Sequence, residues 1–163
     1  MKIVLATLLA SAVPVCAFGQ EYVYVDAVRC IGGPFGMKLP ADARKVRLMA
    51  PLVRETVSKV ERWNGYTATR KTLYFDGLEL GVIDFSNDPA RLMVTHAEIA
   101  SSKLNHLLPF KIRHPISAAR SVLGELAKDD DRLNRSYASD GDSLQFRTSD
   151  SLVVGVSYSC YSG

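Results

Sequence analysis

Three histidines are the side chains in this sequence that could hold a metal ion. His96, His106 and His114 lie ten and eight residues apart. Zinc-binding histidines on one helix face are usually four residues apart, as in His-x-x-x-His, so this spacing puts no pair on one helix face. The spacing therefore favours ordinary strand and loop histidines, and we predict no metal site and no cofactor.

Clustered carboxylates are the second kind of residue that could do chemistry. Glycoside hydrolysis uses two carboxyl groups at a fixed separation across a cleft. Most of the carboxylates here fall in predicted turns, where Asp is favoured for backbone reasons, so we predict no catalytic residue. A small hydrolase that acts on envelope polymers remains an alternative hypothesis for the function, the third in order of preference. The clusters are Glu79 with Asp84, residues 129–131, and Asp140 with Asp142.

The first 17 residues have the pattern of a secretory signal peptide. Lys2 provides the positively charged N-terminal region, an apolar run follows, and Val15-Cys16-Ala17 matches the small-residue pattern of a cleavage site. The alternative is a membrane anchor, but the apolar run is shorter than the roughly 20 residues that a span requires. We therefore predict a periplasmic or secreted protein with no transmembrane span after signal removal; lipidation of Cys16 stays open.

Two cysteines remain once the predicted signal peptide has been removed. Cys30 and Cys160 would then meet an oxidising compartment, and this predicts one disulfide between them. Such a bond closes nearly the whole chain into a loop, which in the chain-entropy model is worth about 4 to 5 kcal/mol. The alternative is two separate thiols.

Composition and charge are those of one ordinary globular domain. The chain has 163 residues, of which 47% are hydrophobic and 23% charged, with a formal net charge of +3. We therefore expect a signal peptide over residues 1–17 and one domain over residues 18–163. Basic and acidic residues are interspersed along the chain, so no nucleic-acid partner is expected.

A weak internal repeat indicates how the elements are arranged. Pro40 and Pro115 each stand where a helix would begin, a position that suits proline.

The predicted fold is α+β, with two tandem helix-plus-antiparallel-meander units, at about 22–103 and 104–163, forming one sheet with helices on one face. Predicted helices cover residues 40–49, 51–64 and 115–128; predicted strands cover residues 21–26, 66–75, 78–83, 91–99, 134–139, 143–148 and 151–159.

The helix predicted at residues 51–64 depends on apolar spacing. Val53, Val57 and Val60 fall on one stripe of a helical wheel, and charged residues fall mostly on the other faces. Asn64-Gly65 would end the helix. The stripe is interpreted as core packing.

The second unit carries a family resemblance. A short apolar strand, a turn, a short helix ending in Leu123-Gly124 and then a meander resemble the tandem α+β modules of the β-lactamase-inhibitory protein. The order is similar also to the SmpA/OmlA-like envelope lipoproteins. The resemblance implies a curved sheet backed by helices, with an exposed face that binds another protein. It assigns no functional residue.

Tyrosine usage favours a protein-binding face on the side of the sheet opposite the helices. Tyrosine offers a large apolar area with one polar tip and is common in interfaces, although it is also an ordinary strand former. The predicted partner-binding residues are Tyr74, Glu79, Gln145, Arg147, Ser157 and Tyr161.

The first functional hypothesis is an exported, non-enzymatic protein that binds another protein. It would be an inhibitor or an immunity protein that occludes the cleft of an enzyme or toxin. The alternatives are an envelope assembly or scaffold component and the small hydrolase described above.

Overall fold

The computed structural model describes residues 22–24, 28–123, 136–138 and 141–161. Within them one eight-stranded sheet has the order β1-β6-β7-β8-β5-β4-β3-β2. In chain order the elements are β1 (Tyr22–Tyr24), α1 (Ala43–Leu48), β2 (Leu52–Trp63), β3 (Tyr66–Phe75), β4 (Leu78–Phe85), β5 (Asp88–Ile99), a 3₁₀ helix (Ser102–Leu107), α2 (Ile116–Leu123), β6 (Ser136–Ala138), β7 (Ser143–Ser149) and β8 (Leu152–Ser159).

Two antiparallel meanders join edge to edge to make the sheet. Strands β2 to β5 pair in sequence, β6 to β8 do the same, and β5 pairs with β8 between His96 and Ile99. The short β1 adds to β6 in parallel. The prediction of one sheet is confirmed, and residues 66–75 and 78–83, which were predicted to be strands, pair with each other in the β3–β4 hairpin.

The helix predicted at residues 51–64 was wrong, and with it the tandem helix-plus-meander arrangement. These residues form β2, the edge strand beside β3. Register shifts leave Val53 and Ser58 as extra residues in the β2–β3 ladder. An extra residue moves the side-chain alternation by one, so Val57 and Val60 share a face at a helical spacing.

The helices described pack on one face of the sheet, here called the inner face. Leu73, Leu80, Ala97 and Tyr158 lie opposite one another across four strands and are fully or almost fully buried. The core above them takes Val46 from α1, Leu104 and Leu107 from the 3₁₀ helix, and Ile116 and Ala119 from α2. The opposite face is called the outer face.

A disulfide joins Cys30, which lies between β1 and α1, to Cys160, which directly follows β8, as predicted. The two Cα atoms are 5.6 Å apart and 130 residues apart in sequence. Beside it, the Asp142 carboxylate accepts the backbone N–H of Cys30 at 2.8 Å and that of Tyr161 at 2.7 Å. This bond fits a periplasmic or extracellular protein.

Residues 30–37, which contain Gly32, Gly33 and Gly36, form a glycine-rich turn. The N–H of Met37 donates to the Cys30 carbonyl at 2.7 Å, and the N–H of Gly32 donates to the Met37 carbonyl at 2.9 Å. The predicted signal peptide (1–17), residues 21 and 25–26 of the first predicted strand, residues 134–135 and 139 of the strand predicted at 134–139, Gly124 and the rest of the third predicted helix up to residue 128 lie outside the described residues. No helix of the described part is long and apolar enough to cross a membrane.

Candidate protein-binding face

Four of the six predicted binding residues lie in one line across the outer face. Tyr74 pairs with Glu79, Glu79 with Glu98, Glu98 with Ser157, and Ser157 with Gln145. Because directly opposite residues on antiparallel strands point to the same face, these side chains form a continuous band over five strands. We call this band, with Arg54 at its β2 end, the central row.

Arg54 and Glu98 belong to the central row but were missed from the sequence. Arg54 lies opposite Tyr74, and its guanidinium carbon is 4.1 Å from the centre of the Tyr74 ring. A guanidinium at this distance is attracted to the ring face. The segment that carries Arg54 was taken for a helix, so its place beside Tyr74 could not be inferred.

Arg147, the fifth predicted residue, reaches the same region from β7. It lines a shallow cavity of about 230 Å³ together with Tyr74, Glu79 and Glu98. Its guanidinium passes directly over Gly155, which has no side chain to obstruct it. The cavity therefore brings one cation close to two carboxylates and an aromatic ring.

Tyr161, the sixth predicted residue, is at a different place. It follows β8 beside the disulfide, with 70% of its surface exposed, and its backbone is held by Asp142. It lines a separate cavity of about 280 Å³ with Cys160 and Asp142. The structure thus brings five of the six predicted residues together and leaves Tyr161 apart from them.

His96 stands beside the central row and contacts Glu79. Its Nε2 atom is 3.5 Å from Glu79 Oε1, and its Nδ1 atom is 3.3 Å from Thr95 Oγ1. A hydroxyl, an imidazole and a carboxylate in series have the order used in nucleophilic catalysis, although the distances are long. Both His96 and Glu79 are 42% exposed, so the series lies on an open surface.

A second recess on the outer face was not found by sequence reasoning. The Trp63 and Tyr66 rings are nearly parallel at 11°, with centroids 6.3 Å apart, and Tyr66 contacts Phe85 at 6.1 Å. Arg91 lies 4.4 Å above the Phe85 ring. Buried Ala68 and Ile83 also line this cavity of about 270 Å³. We call these six residues the aromatic–arginine recess; its sequence signal was the Trp63 to Tyr66 spacing across a hairpin.

The carboxylates considered for catalysis, Glu79 and Asp84, lie on opposite faces of β4. Glu79 is on the outer face, whereas Asp84 points to the inner face and meets Arg47 of α1 at 2.6 Å. Glu55 and Lys71 complete this inner cluster of four charges. Glu79 and Asp84 therefore cannot act together as a carboxylate pair.

No protein-family model, curated protein or solved structure matches this chain. The resemblance to inhibitory and envelope-lipoprotein modules thus stays a prediction.

The other two histidines, His106 and His114, are not part of the series formed by Thr95, His96 and Glu79. His106 lies in the 3₁₀ helix, where Nδ1 is 3.2 Å from the Lys103 carbonyl oxygen, and His114 is exposed just before α2. Among the described residues there is no group of three or more His, Cys, Asp or Glu side chains that could hold a metal ion.

Proposed function

We propose that this chain is an exported binding protein that docks another protein on the outer face of its sheet and thereby occludes the partner's cleft. The observation that supports this proposal is the central row. It places aromatic, carboxylate and guanidinium groups in one band on a face where no described helix packs. The disulfide cross-links the chain next to β8, and a cross-linked binding face would lose less conformational entropy on binding.

An inhibitor or immunity protein is the form of this function that we favour over an envelope scaffold. Export under the predicted signal peptide would place it where secreted enzymes and toxins act. Tyr and Arg are two of the residue types that contribute most to protein interfaces, and the central row and Arg147 supply both. The partner would be a hydrolase or toxin that the chain meets outside the cytoplasm.

The experiment is a pull-down of the tagged mature protein from envelope and secreted fractions, followed by affinity measurement with the purified partner. Tyr74→Ala and Glu98→Lys should each weaken binding about tenfold or more, because both change the central row. Leu48→Ala is the matched control, since Leu48 is 83% exposed at the end of α1 on the other side of the sheet. Equal binding by all three variants would contradict the proposal.

The identity of the partner separates the inhibitor from the scaffold. An inhibitor should abolish the activity of its partner at a 1:1 ratio. Stable association with outer-membrane assembly machinery, without loss of any activity, would instead support the scaffold.

A hydrolase is the second candidate, and one observation favours it: the series Thr95, His96 and Glu79 described above. If it acts as a nucleophile, a base and an orienting group, the protein should hydrolyse p-nitrophenyl acetate faster than free imidazole does. Thr95→Val and Glu79→Gln should then both remove the activity. Rates equal to that of free imidazole in all three proteins would dismiss this candidate.

A further inference from the structure

We infer that the aromatic–arginine recess is a second docking point on the outer face, for a partner segment that presents an apolar side chain next to an acidic one. This inference extends the proposed function by stating the chemistry of the partner. The recess is separate from the central row: Ala68 and Tyr74 are six residues apart on β3, which is about 20 Å along a strand.

The size of the recess favours a side chain over a small molecule. Its volume of about 270 Å³ is just below the roughly 300 to 1,000 Å³ typical of small-molecule sites. Ala68 and Ile83 are only 5% and 4% exposed and form an apolar floor, whereas Trp63 at the rim is 59% exposed. An aliphatic or aromatic side chain could rest on the floor and remove the indole from water.

The charges of the recess favour an acidic neighbour for that side chain. Arg91 is held over Phe85, and no carboxylate of the described residues forms an ion pair with its guanidinium. Glu61 and Arg70 also line the cavity, but their charges are paired: the Glu61 carboxylate is 2.6 Å from the Lys59 ammonium and 3.5 Å from the Arg70 guanidinium. Arg91 is therefore the cation available for a carboxylate, which a guanidinium can bind in bidentate fashion.

The residue types also point to a protein segment. Trp, Tyr and Arg are the residues most enriched at the energetic centres of protein interfaces, and Trp63, Tyr66 and Arg91 line a single cavity. A polar rim around an apolar floor is the usual arrangement of such a centre.

Trp63 makes the inference directly measurable, because it is the only tryptophan of the chain. The probe is the blocked peptide acetyl-Gly-Leu-Glu-Leu-Glu-Gly-amide, with an isosteric peptide in which both Glu residues are Gln. We expect the Glu peptide to change the fluorescence of Trp63 saturably and to bind about tenfold more tightly than the Gln peptide. Raising the salt concentration should reduce this preference.

Two variants locate the effect. Arg91→Gln should bind both peptides equally, at the weaker affinity, while Arg147→Gln should behave like the wild type because Arg147 lies at the other cavity of the same face. Arg91 is exposed, so an unchanged melting temperature is expected for its variant. Equal binding of the two peptides by the wild type, or no fluorescence change up to about 10 mM peptide, would overturn the inference.

A saccharide is the competing occupant, and the same assay tests it. Oligomers of glucuronic acid that quench Trp63 while the Glu peptide does not would assign the recess to an acidic sugar and overturn the inference. The test is independent of the proposed function. A partner that loses affinity with Tyr74→Ala but binds Arg91→Gln like the wild type would contradict the recess alone.

Discussion

Tyr158 shows how a single polar group is accommodated in the core. Its side chain is only 2% exposed, and its hydroxyl donates a hydrogen bond to the Phe35 carbonyl at 2.8 Å. Burial raises the pKa of Tyr158 well above its ordinary value, because the phenolate would lose its hydration. The bond thus ties the glycine-rich turn to β8.

Replacing Tyr158 by Phe should lower the free energy of unfolding by about 1 to 2 kcal/mol, because it leaves the Phe35 carbonyl without its partner. Urea denaturation at neutral pH measures the change. Tyr161→Phe is the matched control and should change stability by less than about 0.5 kcal/mol, since Tyr161 is 70% exposed. Equal stability of the two variants would argue against this hydrogen bond.

The inner charge cluster makes stability depend on pH at both extremes. Burial alone would raise the pKa of Glu55, but the ammonium of Lys71 and the guanidinium of Arg47 lower it below its ordinary 4.5. Burial would lower the pKa of Lys71, but Glu55 and Asp84 raise it above 10.5. The contribution of Glu55 is lost as pH falls through its lowered pKa, and that of Lys71 is lost as pH rises through its raised pKa.

Lys71→Met should therefore cost about 2 kcal/mol near pH 7, a value between those of surface and buried ion pairs. The difference between wild type and variant should shrink as pH falls below 4.5 and through the lowered pKa of Glu55 in the folded protein. Urea midpoints from pH 3 to 8 test this. Lys59→Met is the control, since Lys59 forms an exposed pair with Glu61; a constant difference across that pH range would refute the coupling.

At the scale of elements, the first two hairpins of the first meander, β2–β3 and β3–β4, use their glycines differently. Gly65 and Gly77 both have positive φ, at 89° and 80°. A Cβ atom at Gly65 would meet nothing within 4 Å, whereas one at Gly77 would overlap Ser101, whose segment packs against that turn. The second hairpin is thus a site of close packing as well as a turn.

Gly65→Ala should cost about 1 kcal/mol, the strain of a left-handed conformation in a residue with a Cβ atom. Gly77→Ala should cost about 1 to 3 kcal/mol more, because Ser101 must also move. Thermal unfolding of the two variants separates the backbone strain at positive φ from the steric overlap with Ser101. Equal losses of stability in the two variants would show that Ser101 can move aside at no measurable energetic cost.

Strands with regular alternation were predictable from sequence, whereas bulges misled the prediction of either the element or the facing of its side chains. Residues 66–75 were predicted to be a strand, and β3 has those bounds. In β2 the extra residues Val53 and Ser58 give the valines a helical spacing, so the same rule failed. In β8 the extra residue Val154 buries Val153 and exposes Leu152, whereas strict alternation would place Leu152 on the buried face with Val156 and Tyr158.

The candidate site was predictable only where strand register was correct. Tyr74, Glu79, Gln145 and Ser157 come from strands whose alternation could be followed, and they meet in the central row. The aromatic–arginine recess needs the Trp63 to Tyr66 hairpin. The helix prediction for residues 51–64 placed Trp63 in the wrong kind of element.

For the molecule as a whole, the disulfide is the longest-range constraint described. Reduction should lower the free energy of unfolding by about 5 kcal/mol in the chain-entropy model for a loop of 130 residues. A clear fall in melting temperature with reductant is expected. The double variant Cys30→Ser/Cys160→Ser should show the lower value with or without reductant; an unaltered wild-type melting temperature would contradict the stabilising role.

The same bond also determines how the protein would respond to mechanical tension. If the two ends of the chain were pulled apart, the load would pass directly from Cys30 to Cys160. The 130-residue segment between them, about 450 Å when fully extended, could not lengthen. Of the eight strands, only β1 lies outside that segment, so β1 could be peeled from β6 while the outer face kept its shape.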